Sequence, residues 1–362
     1  MLKDAIDLGK VKRVLVIMLR HHGDVLLTSP VFSSLAAAID GVEIDALIYK
    51  ETEPMLANHP SISQLHLIDR QAKKCGIIKR FKIEKAQYNQ LKARQYDLII
   101  HLCAHWRGCW LTALLKPRYA VSIDRPRRIW RRVFRRRYDD NIAGRHRVER
   151  NLDALRRLGI QPVKKDLVLG IDQETQTTVD AQFKQHQLSE KNYILIHPGS
   201  RWMFKCWPEN KFAELIDRLT TYDMPIVLTG APDDVEKAFI YRICNQTKTP
   251  VIDLSGQLTL KELAGFIAQA RLFIGVDSAP MHMASAFKTP TVVLFGPTDF
   301  LEWGPWKNTH NIVFSEQFSC RPCGKDGCGG SKISDCLTHI PVDKVLDAVS
   351  TLLTESNEKR AS

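Results

Sequence analysis

The sequence predicts an α/β protein with two doubly wound parallel-sheet domains in tandem, facing each other across a ligand cleft at the carboxyl ends of their strands. Three observations carry this. The chain has 362 residues, 44% hydrophobic and 25% charged, a globular composition on a chain longer than one core usually supports. Short β-branched runs alternate with amphipathic helical stretches, the pattern of parallel strands joined by crossover helices. That rhythm stops in a polar, turn-rich stretch at 159–172 and then starts again. The expected divisions are an N-terminal domain at 1–170, a C-terminal domain at 171–340, and a last helix and tail at 341–362.

In the first half the β-branched runs place strands at 13–18, 43–48, 64–68, 97–102 and 118–122, with helical segments between most of them. In the second half they place strands at 193–196, 225–228, 251–254, 272–275 and 291–295. Helices are expected near 208–220, 233–244, 260–270 and 280–286.

No apolar run approaches the roughly 20 residues needed to span a bilayer. The N-terminus carries Asp4 and Asp7 and lacks an apolar core, so it does not read as a signal peptide, and a cytoplasmic protein is expected. The nine cysteines are scattered, and no disulfide framework is assumed. Net charge is +12, unevenly divided. Residues 1–165 hold 33 lysines and arginines against 16 acids, and residues 166–362 hold 19 against 24. One half is therefore suited to an anionic partner that the other does not meet.

Four turns at expected strand ends can carry chemistry. After the first strand come His21, His22, Gly23 and Asp24; a glycine allows a tight turn, and Asp24 then serves either as a general base at the sheet edge or as a helix cap. His197, Pro198, Gly199 and Ser200 end a later strand, with Arg201, Lys205, Trp207 and Pro208 beyond. Amides and cations converge there, which suits a phosphate, with Lys205 the residue for a diphosphate unless it is merely a solvated loop lysine. Thr229, Gly230, Ala231 and Pro232 lead to Asp233, Asp234 and Glu236, acids that either accept from ribose hydroxyls or face the helix dipole. Gly275, Val276, Asp277, Ser278, Ala279 and Pro280 lead into a helix holding His282, whose free N-terminal amides can bind an anion. The plainer alternative is that Asp277 or Ser278 caps that helix and His282 packs beneath it.

The order and spacing of these segments, with Asp253-Leu254-Ser255-Gly256 and Gly296-Pro297-Thr298, resemble the lipopolysaccharide heptosyltransferases of glycosyltransferase family 9. The resemblance spans almost the whole chain. It implies a GT-B fold, two Rossmann-like domains across a cleft, and inverting transfer of L-glycero-D-manno-heptose from ADP-heptose to the lipopolysaccharide inner core. By the same resemblance Asp24 matches the catalytic base and Lys205 contacts the donor diphosphate. His197, Gly199, Ser200, Gly230, Asp277 and His282 fall in the donor site, with Ser278 and Ala279 where backbone amides hold phosphate. No cofactor is expected, because fixed charges can take the place of a metal. The late cysteine-bearing segment looks most like the branch of the family that adds the third, branching heptose.

Two features lie outside these turns. Arg125, Arg127, Arg128, Arg131, Arg132, Arg135, Arg136 and Arg137 are interleaved with Ile129, Trp130, Val133 and Phe134. If helical, the apolar four form one face between arginines, suited to an anionic membrane surface, although nucleic acid fits the same composition. With the resemblance, the expected partners are a phosphorylated inner-core acceptor and the cytoplasmic face of the inner membrane, not nucleic acid. Cys320, Cys323, Cys328 and Cys336 can in principle hold zinc, but the spacing lacks paired CxxC repeats, and reduced thiols with no metal are expected.

Overall fold

A computed structural model describes residues 6–74 and 76–361, and the chain divides into two compact units, Met1–Gly170 and Ile171–Ser362. The strands of the first are β1 (Arg13–Met18), β2 (Glu43–Tyr49), β3 (Gln64–Ile68), β4 (Leu98–His101), β5 (Tyr119–Ile123) and β6 (Arg136–Tyr138). They form one parallel sheet in the order β3-β2-β1-β4-β5-β6. Its helices are α1 (His22–Leu26), α2 (Ser29–Ala38), α3 (Ile77–Ala93), α4 (Trp106–Leu115), α5 (Arg128–Val133) and α6 (Arg147–Arg156). A parallel sheet covered on both faces needs apolar side chains on both, so Val14 to Leu19 are all buried. At the amino ends of its strands, Asp45 of β2 is fully buried, and Arg94 and Tyr96 each donate to it at 2.7 Å. That buried charge is held by partners and lies away from the ligand-binding edge.

The second unit repeats the plan with β7 (Ile194–His197), β8 (Ile226–Leu228), β9 (Ile252–Asp253), β10 (Leu272–Val276), β11 (Thr291–Leu294) and β12 (His310–Val313). The order is β12-β11-β10-β7-β8-β9, again parallel throughout. Its helices are α7 (Gln173–Gln185), α8 (Glu209–Leu219), α9 (Asp234–Gln246), α10 (Leu260–Gln269), α11 (Ala279–Ala286), α12 (Phe300–Trp303), α13 (Asp335–Thr338) and α14 (Val342–Ala361). Phe212, Leu215, Ile216 and Leu219 of α8 recur at helical spacing and share a buried core with β7, β8 and α9. Thr259 and Glu262 close a reciprocal capping box at the start of α10. Val345, Val349 and Leu352 of α14 lie in the same core as β11, so the final helix is part of this unit rather than an appendage.

Both sheets reverse strand order once, between β1 and β4 and between β7 and β10. Loops leaving the carboxyl ends of such strands diverge and open a crevice, where ligands of doubly wound sheets bind. Each unit therefore has one favoured edge, and Asp24 and the segments that follow β7, β8 and β10 fall on it.

Several expectations need correction. The arginine run is not one amphipathic helix: α5 ends at Val133, the chain extends through Phe134, and Arg136 and Arg137 enter β6. Its aromatics point inward, with Trp130 2% exposed and Phe134 fully buried against Cys109. An apolar face between arginines is therefore absent, because the domain core has taken it. Gly23 makes no tight turn but lies within α1, and Pro208 is the N-cap of α8 rather than a first-turn residue. The strands β6 and β12 were not anticipated.

Candidate active site

In the second unit, β7 ends at His197 and its neighbour β10 runs one residue past the paired Gly275. The loop after β7 carries Lys205, and the turn after β10 carries Asp277. Across the reversal point Lys205 Nζ donates to Asp277 Oδ2 at 2.6 Å. Asp277 is 7% exposed, and Lys205 is the cation that pairs with its carboxylate inside the fold. The ion pair ties two diverging loops together over the crevice. It also holds a cation where a diphosphate can meet it.

Ser278 is the N-cap of α11, but its side chain makes no capping bond, and its buried Oγ has no hydrogen-bond partner among the described residues. A buried hydroxyl left this way is costly unless something else accepts from it. Ala279 opens the helix and Pro280, which follows, has no N–H, so the hydroxyl and the first amides are the donors this end offers. His282 is buried one turn further in, at 3% exposed. Lys205, through its pair with Asp277, thus lies next in the fold to the turn that carries the donors of Ser278 and the start of α11, a combination that suits an anion.

The remaining donor-side residues act from below. His197 is 5% exposed, and its Nδ1 is 3.0 Å from the Thr229 hydroxyl, joining the ends of β7 and β8. Burial lowers its pKa to about 4, so the ring is neutral near pH 7. It positions loops rather than supplying positive charge. Ser200 is buried as well, with its Oγ accepting from the Trp202 amide at 3.4 Å.

Glu236 was read from the sequence as a ribose or dipole acid, and the structure gives it another task. It is 4% exposed and accepts from the Ala231 amide at 2.7 Å. A Cβ on Gly199 would lie 2.6 Å from its Oε2, and one on Gly230 would overlap Ile240. Both glycines are small because a buried carboxylate and its helix pack directly beneath their loops. Asp233, not Glu236, caps α9, accepting from Val235 and Glu236 amides at 3.1 Å. The signal for Glu236 was present as a glycine after each of two strands and an acid one turn into α9, yet spacing alone could not place it under both.

In the first unit, the loop after β1 leads through His21, the N-cap, into α1, whose third residue is Asp24. Asp24 is therefore not the cap. It is half-buried, with no hydrogen bond or ion pair among the described residues, at the reversal point beside β4. The Leu19 amide donates to Cys103 Sγ at 3.3 Å, fastening the end of β1 to the end of β4. Burial pushes the Cys103 thiol up, which keeps it a neutral strut and not a nucleophile. On this edge Asp24 is a half-buried carboxylate beside His21 and His22.

The arginines have divided roles. Arg131 and Arg137 pair with Asp124 at 3.5 and 3.0 Å, and Arg136 lies over the Tyr119 ring at 5.2 Å. Arg127 stacks on Trp106 at 4.7 Å. With Arg125, Ala104, Pro126 and Trp130, these two residues line a small pocket of about 200 Å³. Arg128, Arg132 and Arg135 are exposed. Among the described residues eight cysteines, including Cys320, Cys323, Cys328 and Cys336, are free thiols. Among the described residues no group of three or more His, Cys, Asp and Glu side chains is arranged to hold a metal ion.

Comparison with known proteins adds lineage to this geometry. The family model for glycosyltransferase family 9 (heptosyltransferase) matches residues 85–333. Lipopolysaccharide heptosyltransferase 3 of Escherichia coli is 35% identical over 344 residues, which cover 93% of this chain and 98% of that one. A family 9 glycosyl transferase from Veillonella parvula superposes with a TM-score of 0.84 at 23% identity, covering 98% of this chain and all of that one. The E. coli heptosyltransferase WaaC, solved with ADP, gives 0.71 at 19% identity, covering 94% and 99% of the two chains. These likenesses assign the two-Rossmann GT-B fold. The chain belongs to glycosyltransferase family 9, the heptosyltransferases, and is a glycosyltransferase of lipopolysaccharide synthesis.

Proposed function

We propose that this enzyme transfers L-glycero-D-manno-heptose from ADP-heptose to a phosphorylated inner-core acceptor, adding the third, branching heptose with inversion at the anomeric carbon. The observation that carries the donor assignment is the Lys205–Asp277 pair beside the unpartnered Ser278 hydroxyl, at the reversal point of the second sheet. The relative named heptosyltransferase 3 supports the acceptor position.

In this reading Asp24 removes the proton from the acceptor hydroxyl as its oxygen attacks the anomeric carbon. The glycosidic bond to the diphosphate breaks in the same displacement. Such general-base assistance typically contributes about 10² to 10⁴ in rate. Charge growing on ADP is met by Lys205, the Ser278 hydroxyl and the first amides of α11, preorganised before the reaction begins. These groups do the work a metal does elsewhere, and no cofactor is required. Arg125 and Arg127, beside their small pocket, take the acceptor phosphates.

The enzyme works on the cytoplasmic face of the inner membrane, as a peripheral protein. In support, none of the described helices is long and apolar enough to cross a membrane. The test is ADP release and glycoside formation from ADP-heptose and an inner core lacking its third heptose. Absence of both overturns the proposal, and turnover on a core lacking its first or second heptose moves the acceptor position. A thermal-shift series of ADP, UDP and GDP checks the base, with ADP stabilising most.

A further inference from the structure

The structure places exposed apolar surface somewhere other than the arginine run. Residues 76–86, the start of α3, are exposed without interruption. Ile77, Ile78 and Phe81 there are 88%, 75% and 66% exposed, unusual for large apolar side chains lying together. Helical spacing sets these three on one stripe, since Phe81 lies three and four residues beyond the other two. Lys82 and Lys85 follow at four-residue spacing and flank it, with Lys79 and Arg80 in the same turns. The one acid, Glu84, is engaged by Arg80 at 3.1 Å and by Arg107 of α4 at 3.6 Å.

The second half of α3 is what fastens the helix to its domain. Leu91 is buried, and Gln87 Nε2 donates to the Leu67 carbonyl at 3.0 Å. The first half buries nothing, and a short helix end without packing is marginal in water. On α4, Trp110 and Leu114 lie three and seven residues after Arg107, on the face that reaches Glu84, and are 54% and 56% exposed. Gly108, Cys109 and Thr112, on other faces of α4, are buried. Two neighbouring helices therefore turn apolar side chains outward on one side of the unit.

We propose that the start of α3, with Trp110 and Leu114 of α4, is a docking face for an anionic phospholipid bilayer. Ile77, Ile78, Phe81, Trp110 and Leu114 enter the headgroup and acyl boundary, while Lys79, Lys82 and Lys85 meet lipid phosphates. Charge selects this occupant: the cations outnumber the single, already paired acid, and they surround apolar groups that water does not favour. The inference deepens the peripheral-membrane part of the proposed function, which assigns no surface to that contact.

The test is flotation of the full chain with vesicles of phosphatidylcholine, alone or mixed with phosphatidylglycerol, without donor or acceptor. Wild type is expected to float with the anionic vesicles and to be released by high salt. The Ile77→Gln/Ile78→Gln/Phe81→Gln variant should lose at least about tenfold in partitioning. Arg128→Ala/Arg132→Ala should stay within about twofold. Thermal unfolding of each variant confirms that the fold is kept.

Equal flotation of wild type and the triple variant overturns the proposal, as does wild type failing to float. So does loss confined to the arginine variant, which would return the contact to the arginine run. Self-association of wild type that the triple variant abolishes, without vesicle binding, assigns the face to a second copy and also overturns it. Turnover on a soluble, delipidated acceptor is measured in parallel. Turnover without flotation removes only the docking face, and flotation without turnover removes only the proposed reaction.

Discussion

At the scale of single residues, two acids at comparable sheet edges have opposite surroundings. Asp24 has no partner among the described residues, and Asp277 is buried against Lys205. If Asp24 is the base, Asp24→Asn keeps size and polarity while removing the proton acceptor. Turnover should fall at least about tenfold with the affinity for ADP nearly unchanged. Steady-state rates beside ADP titration check this, and an unchanged kcat removes the role. Lys205→Ala has two consequences because it both deletes a cation and strands a buried carboxylate. ADP affinity should drop and the unliganded enzyme should lose about 1 to 3 kcal/mol. Lys205→Ala/Asp277→Asn should regain stability but not affinity, a separation that denaturant unfolding and ADP titration resolve. With Lys205 and the α11 amides proposed to serve the diphosphate, EDTA is expected to leave turnover unchanged.

At the scale of elements, His197 and Glu236 show how strands and loops are tied. His197 has a folded pKa of about 4 against 6.5 when unfolded. Between those values the unfolded chain binds the extra proton, so stability is full above about pH 6.5 and falls as pH drops towards 4. The slope is at most about 1.4 kcal/mol per pH unit for this group, and His197→Asn should flatten it in unfolding measured against pH. Glu236 has the opposite sense: burial raises its pKa, so its ionised form costs stability as pH rises past its usual range. These couplings explain what was readable beforehand. β1 was legible end to end because a β-branched run bounded by polar residues has one interpretation, and β3 because Leu65, Leu67 and Ile68 form a short apolar run bounded by polar residues. β6 was hidden because Arg136 and Arg137 make up two of its three residues. The arginine run misled for the same reason: its period suits a helix, but His101 stacking on Phe134 at 5.5 Å draws the aromatics into the core. Neither periodicity nor composition encodes that tertiary contact. Glu236 escaped similarly, since the two loops it lies beneath come together only in the fold.

At the scale of the whole molecule, two units with one topology differ sharply in charge. The sheets share strand order and reversal point, so fold alone does not say which unit takes which ligand. The charge difference is what supports the proposed assignment. Residues 1–165 carry a net +17 and residues 166–362 a net −5. In the first unit many charges are exposed, including Arg128, Arg132 and Arg135, and exposed charges act through a field that salt screens within about 8 to 10 Å. In the second, Lys205 is only partly exposed, and in the proposed donor site it would meet the diphosphate at short range, where screening is weak. Raising ionic strength should therefore raise KM for the phosphorylated acceptor several-fold while moving KM for ADP-heptose little. Arg128→Glu/Arg132→Glu should reproduce the acceptor effect at low salt without touching the donor. Steady-state kinetics across a salt series, on a soluble acceptor so that membrane binding cannot contribute, reads both constants at once. A parallel rise in the two would mean that the basic surface does not select the acceptor.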